Sequence, residues 1–160
     1  MTRPSSTGLN RCPSWMTWTL RAAAIDNVSW GIFILAMPHL WWDWIGQPRP
    51  NPEFLWTGLG LLILLFGVGY WIASYDPAKH WGLVAIGLAS KVMGFLGTAV
   101  GCFAQKNVPV EFFWSGISND LVWWIPFAFI LRWGLSTLQK RQSADLGRPA
   151  DRVRVDQGRV

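Results

Sequence analysis

Phe54-Leu55-Trp56-Thr57-Gly58-Leu59-Gly60-Leu61-Leu62-Ile63-Leu64-Leu65-Phe66-Gly67-Val68-Gly69-Tyr70-Trp71-Ile72-Ala73-Ser74-Tyr75 contains no charged residue and stops at Asp76 and Pro77. A hydrocarbon core of about 30 Å needs about 20 helical residues, and this run supplies them. In lipid the backbone must satisfy its own hydrogen bonds, so the segment reads as a membrane-spanning helix and not a strand.

Three further apolar runs lie on either side of it. The first extends from about Trp18 to Met37 and stops at Pro38; another begins near His80 and ends around Ala104, before Gln105, Lys106 and Asn107; the last begins near Phe112 and ends around Leu138. The expected fold class is therefore all-α, an integral membrane four-helix bundle over residues 17–138, with spans at about 18–37, 54–75, 80–104 and 112–138. Residues 1–16 are expected to form a cytoplasmic arm and residues 139–160 a basic, disordered cytoplasmic tail. Asp26 and Asn27 stand where a cleavable signal peptide would be purely apolar, so the first run is expected to be retained as a span.

The composition agrees, with 51% apolar and only 14% charged residues. The net charge of +5 resides mostly at the ends, in Arg3 and Arg11 and in Lys140, Arg141, Arg148, Arg152, Arg154 and Arg159. Basic ends beside apolar spans place both termini in the cytoplasm of a bacterial inner membrane, with the Lys79 loop on the same side and Arg49 and Lys106 pulling the other way. A nucleic-acid partner is disfavoured, because the tail has no aromatic residue for stacking and is interrupted by Asp145, Asp151 and Asp156. The expected partners are membrane lipids, with a membrane protein or a second copy of the chain as further candidates.

There are 13 tryptophans, and many fall where a span meets the headgroups. His39-Leu40-Trp41-Trp42-Asp43-Trp44 is expected to lie flat at the outer interface before the Pro48-Arg49-Pro50-Asn51-Pro52 loop, with Trp41, Trp42 and Trp44 at headgroup level. An aromatic surface for a pigment or sterol is the rarer alternative.

Asp26, Lys91 and Asp120 are the most informative residues. Each lies about nine or ten residues from one end of its span, which at 1.5 Å per residue puts all three near the midplane. Asn27 and Asn119 stand beside the carboxylates. A lone charge at that depth costs about 3 kcal/mol on insertion scales, so these side chains are expected to turn inward and meet. Gly87, Ser90, Lys91, Gly94, Thr98 and Gly101 form one small-residue stripe that points Lys91 into the bundle. One ammonium facing two carboxyls leaves an excess acid, to be balanced by a proton, a cation or a ligand amine. The cluster is either a structural knot that fixes helix packing or a proton- or ligand-binding site.

Other motifs are weak. His39 and His80 sit at opposite ends of their spans and cannot share a haem within one chain. Cys12 and Cys102 fall on opposite faces in this topology. Gly58, Gly60, Gly67 and Gly69 lie within an apolar helix, so they are packing glycines and not a dinucleotide fingerprint. No catalytic constellation, metal-ligand set or particular cofactor is indicated.

Gly67-Val68-Gly69-Tyr70-Trp71-Ile72-Ala73-Ser74-Tyr75-Asp76-Pro77, His80-Trp81, Gly87 with Lys91, and Asn119-Asp120-Leu121-Val122-Trp123-Trp124-Ile125-Pro126-Phe127 carry a resemblance. Over Ala22 to Leu131 the chain resembles an uncharacterised family of small bacterial four-span membrane proteins, and more loosely DoxX-like four-helix proteins. The resemblance implies the fold and brings no established activity.

The leading functional expectation is a non-enzymatic accessory or scaffold subunit of a membrane assembly. The alternatives are a small carrier or proton-relay protein using the Lys91, Asp26 and Asp120 cluster, and a membrane enzyme or redox protein binding a quinone-like molecule there. Topology is directly testable. Reporters fused after residue 160 and within Asp76 to His80 should read cytoplasmic and one within Gln47 to Glu53 external; an external C-terminus overturns the orientation, and disagreement between the first two overturns the span count.

Overall fold

A computed structural model describes residues 12–146, and all regular structure among the described residues is helical. Helix α1 covers Ser14–Ala36, the short α2 Leu40–Trp44, α3 Glu53–Ala73 and α4 Trp81–Ala99, which continues as a π-helical segment over Val100–Gln105. Helix α5, Val110–Gly116, passes through a second π segment, Ile117–Leu121, into α6, Val122–Leu146. Three continuous helices, Glu53–Ala73, Trp81–Gln105 and Val110–Ala144, are long and apolar enough to cross a membrane. The protein is a membrane-embedded helical protein. Helix α1 is comparably long but is diluted by Arg21, Asp26 and Asn27.

Two boundaries differ from expectation. Helix α1 starts at Ser14, directly after Pro13, whose fixed φ suits a helix entrance, and not near Trp18. Helix α6 runs past Leu138 to Leu146, so residues 139–146 of the expected disordered tail are helical. Gln139, Lys140, Arg141, Gln142, Ser143 and Ala144 contain no helix breaker, and Gly147 is the first residue that favours termination. The rest of the tail, 147–160, and residues 1–11 of the arm lie outside the described residues.

Successive long helices run antiparallel. Ala24 of α1 lies against Gly67 of α3, Tyr70 of α3 against Gly87 of α4, and Lys91 of α4 against Asp120. The start of α1, the α3–α4 loop and the end of α6 therefore share one end, and α2 with the turn before α5 occupies the other.

The tightest approach joins α1 to α3. A Cβ added to Gly31 would lie 2.7 Å from the Gly60 carbonyl oxygen, and one on Gly67 would lie 2.9 Å from the Ala24 carbonyl oxygen. Backbone meets backbone along this seam, which glycine alone permits without displacement. Gly60 and Gly67 are thus packing glycines, whereas Gly58 faces open space and Gly69 reaches only Leu83, at 3.8 Å.

At the end that holds the α3–α4 loop the interior is filled. Met16, Leu20, Ala23 and Ala24 pack with Tyr70, Ala73, Val84, Phe127 and Ile130. Tyr70 occupies the notch left by Gly87 and meets Phe127 edge-on at 5.0 Å between ring centres. The Arg21 guanidinium lies over the Trp18, Trp71 and Tyr75 rings at 5.3, 5.5 and 5.8 Å, and the three ring faces cover its charge. Arg141 Nη1 donates to Asp76 Oδ2 at 2.9 Å and ties the end of α6 to the loop. Burial alone would raise the Asp76 carboxyl, but the Arg141 hydrogen bond, the Lys79 and Ala78 amides and the Arg141 charge together hold it below its ordinary value. Because the folded value is depressed, this contribution to stability is present at neutral pH and disappears as acid protonates the carboxylate.

The seam makes a contrast between glycines of one helix. Gly67→Val should lower stability in detergent by about 2 kcal/mol or more through overpacking against backbone, while Gly58→Ala should be neutral or slightly stabilising. Thermal melts followed by circular dichroism check this, and equal effects at both positions would refute the seam.

Candidate functional site

Lys91 sits midway along α4 with only 3% of its surface exposed. A buried ammonium must place all three protons on acceptors, and this one does. Its Nζ donates to the Asn119 backbone oxygen at 2.6 Å, to Asn27 Oδ1 at 3.2 Å and to Asp120 Oδ1 at 3.3 Å. The shortest contact is to a backbone carbonyl and not to the carboxylate. Asn27 passes the network on, with Nδ2 donating to the Ile63 carbonyl of α3 at 3.4 Å. One hydrogen-bonded chain thus links α3, α1, α4 and the Ile117–Leu121 segment.

That segment is where Asn119 and Asp120 are placed. The Val122 N–H reaches back five residues to the Ile117 carbonyl, so the turn is wider than an α turn. The wide turn changes the phase of α5 relative to α6. Gly116 meets Phe95 and Asp120 faces Gly94, so the residues before and within the wide turn both look onto α4. Pro126, which lacks a donor, follows within α6.

Lys91, Asn27, Asn119 and Asp120 are joined directly, as expected from their common depth. Asp26 is not: among the described residues no ion pair links it to Lys91, and its Oδ2 is buried without a hydrogen-bond partner. Neighbouring helical positions point about 100° apart, so Asn27 faces Lys91 and Asp26 is turned to the side. Asp26 nevertheless lines the same space.

The space is a cavity of about 570 Å³. Its floor holds Asp26, Asn27, Ser90, Lys91, Asn119 and Asp120, and its walls are Leu59, Leu62, Ile63 and Phe66 of α3 opposite Gly94 and Thr98 of α4. Towards the α2 end it is rimmed by Trp30, Trp41, Trp56 and Phe112. Trp41 and Trp42 are half-buried in this cluster: Trp41 packs edge-on against Trp30 at 5.2 Å and against Phe112 at 5.9 Å, and Trp42 packs on Trp56 and Phe112 at 5.3 and 5.2 Å. Trp44, 77% exposed, points away from it. Of the three rings expected at headgroup level, Trp41 and Trp42 also pack on other rings, and Trp41 lines the cavity rim.

The loop beside the rim is pinned by ions. Arg49 makes a two-pronged contact to Asp43 at 3.0 and 2.8 Å, and this hydrogen bond lowers the Asp43 carboxyl from its ordinary value. His39 Nε2 lies 3.1 Å from Glu53. No three His, Cys, Asp or Glu side chains converge to hold a metal ion among the described residues.

Trp30, Trp56, Phe112, Ser115 and Ser118 were not singled out as site residues on sequence grounds. Trp30 had a local signal, one helical turn beyond Asp26 and hence on its face. Trp56 and Phe112 had none, because their approach depends on how α3 and α5 are rotated. No family model matches the chain, and no curated protein or solved structure matches it either.

The network ranks its own members. Lys91→Met should cost about 3 kcal/mol or more by stranding buried acceptors, Asp120→Asn less, and Asp26→Asn least. In thermal melts a Lys91→Met, Asp120→Asn double-mutant cycle should couple by at least ~1 kcal/mol and the Lys91→Met, Asp26→Asn cycle much more weakly. Additive effects in both cycles would remove the network.

Proposed function

We propose that this protein is a four-span bundle of the bacterial inner membrane, with both termini cytoplasmic, that binds a small amphipathic molecule in its interior as a carrier or receptor. The fourth span is α1. Its packing along the glycine seam of α3, the turning of Asp26 and Asn27 to the cavity and the aromatic cover over Arg21 support its crossing the membrane with the three apolar helices. The cytoplasmic assignment rests on the basic ends.

One observation carries the ligand-binding reading. A packed interior leaves few voids larger than a water molecule, whereas this one holds about 570 Å³ between a polar floor and an aromatic rim. Cavities of about 300–1,000 Å³ with mainly apolar walls and a few convergent polar groups are what small-molecule sites consist of. A knot needed only for packing would have no use for the space beside it.

The accessory-subunit reading is second, and one observation favours it: Trp44 and Trp114 are 77% and 65% exposed, as rings offered to lipid or a partner would be. Purification from native membranes in mild detergent, followed by solvent extraction and mass spectrometry, separates the two. A stoichiometric small molecule, lost from Ser115→Trp but retained by Gly97→Ala, supports the cavity reading. A stoichiometric protein partner with no small molecule supports the accessory reading and overturns the first.

A further inference from the structure

We infer that the ligand of the cavity is a lipophilic amine, bound as its ammonium, with the cationic head between Asp26 and Asp120 and the apolar body against the tryptophan rim. This rests on the reading of the cavity as a ligand site and names the chemical class that site selects.

The selection follows from which hydrogen-bonding groups are already used. Lys91 has three protons and three acceptors at 2.6, 3.2 and 3.3 Å, so it has no donor to offer an anionic ligand. Its charge is matched by Asp120. Each amide has one of its two N–H groups engaged, Asn27 Nδ2 with the Ile63 carbonyl and Asn119 Nδ2 with Asp120 Oδ1. With Lys91 paired to Asp120, the unmatched charge on the floor is the Asp26 carboxyl. Asp26 lines the cavity with no hydrogen bond and no cationic partner among the described residues, and of its two oxygens only Oδ2 is sealed off by protein. A carboxylate in that position is stabilised by a group bringing both hydrogen-bond donors and positive charge, and an organic ammonium brings both.

The rim supplies the opposite preference. Trp56, 6% exposed, and Trp41 line the cavity with their rings. Aromatic faces accept an apolar or aromatic body. Lys91 and Thr98 are two helical turns apart on the cavity wall, so the space extends about 10 Å along α4 at 1.5 Å per residue. That length and the 570 Å³ volume suit a single-chain or aromatic amine and are too small for a whole diacyl lipid.

Entry is through the bilayer. Leu59 and Leu62 line the cavity and are 44% and 52% exposed, so protein does not close the cavity over these two side chains of α3. A second hollow of about 190 Å³, lined by Leu62, Leu65, Phe66, Tyr70, Leu83 and Ile86, continues the same cleft. A lipophilic amine partitions into the membrane and reaches this cleft laterally.

The test uses three molecules of nearly one shape: 4-phenylbutylamine, 4-phenylbutanol and 4-phenylbutyrate. Each is titrated into the full chain in phosphatidylcholine nanodiscs, which contain no competing primary amine, and binding is followed by tryptophan fluorescence and by the rise in melting temperature. The amine should bind at least tenfold more tightly than the carboxylate and more tightly than the alcohol. Asp26→Asn should weaken the amine at least tenfold while leaving the alcohol within about threefold, and Asp26→Glu should restore part of the loss. If Asp26→Asn does not fold, the order of the three probes on the unaltered protein decides alone. Equal or tighter binding of the alcohol or carboxylate overturns the amine assignment and leaves the cavity reading standing. No binding by any of the three, with Ser115→Trp indistinguishable from the unaltered protein, overturns both.

Discussion

The burial of Lys91 constrains the rest of the structure. An ammonium removed from water costs several kcal/mol unless every proton finds an acceptor, and the acceptors here come from elements far apart in sequence. Asn27 lies on α1, and Asn119 and Asp120 lie on the π segment between α5 and α6. Asn27 in turn is held by the Ile63 carbonyl of α3. Satisfying one side chain therefore sets the rotation of α1, the depth of α4 and the local widening of the helix that carries Asp120. The departure from α geometry at Ile117–Leu121 belongs to that network, since it coincides with the residues that receive Lys91.

Around this network the two ends of the molecule are built differently. Towards the α3–α4 loop, Gly67 lets α1 and α3 touch backbone to backbone, Gly87 makes room for Tyr70, and Phe127 and Ile130 close the core. Towards α2 a hollow lies between α3 and α4, and rings of α2, α3 and α5 meet at its margin. The polar network lies at the boundary between the packed part and the hollow part. A charge pair in that position has one side sealed by protein and one side open to an occupant, which is the arrangement a binding site requires and a packing device does not.

The aromatic residues divide along the same boundary. Tyr70 and Phe127 fill space, Trp18 and Trp71 cover Arg21, and Trp30, Trp41 and Trp56 border the cavity. The high tryptophan content of this chain thus has three structural uses in addition to the interfacial anchoring that membrane proteins commonly show. Trp41 and Trp42 illustrate the difference: their position next to Pro38 and a proline-rich loop reads as interfacial, yet their rings pack on Trp30, Trp56 and Phe112.

The sequence by itself determined the helical class, the approximate limits of the apolar helices and the level along their helices that lets Asp26, Lys91 and Asp120 line one cavity. Those are local properties: run length decides whether a helix is long enough for the bilayer, and a constant rise per residue converts position into depth. Gly60 and Gly67 were legible as packing positions for the same reason, but nothing local distinguished them from Gly58, which faces open space. Only the tertiary structure decided that Asn27 and not Asp26 meets Lys91, that the shortest contact to Lys91 is the Asn119 carbonyl, and that Trp56 and Phe112 border a cavity. Those outcomes depend on the rotation of each helix about its axis. That rotation is set by how all the helices pack at once, and at Ile117–Leu121 by one widened turn that shifts the phase of every residue after it.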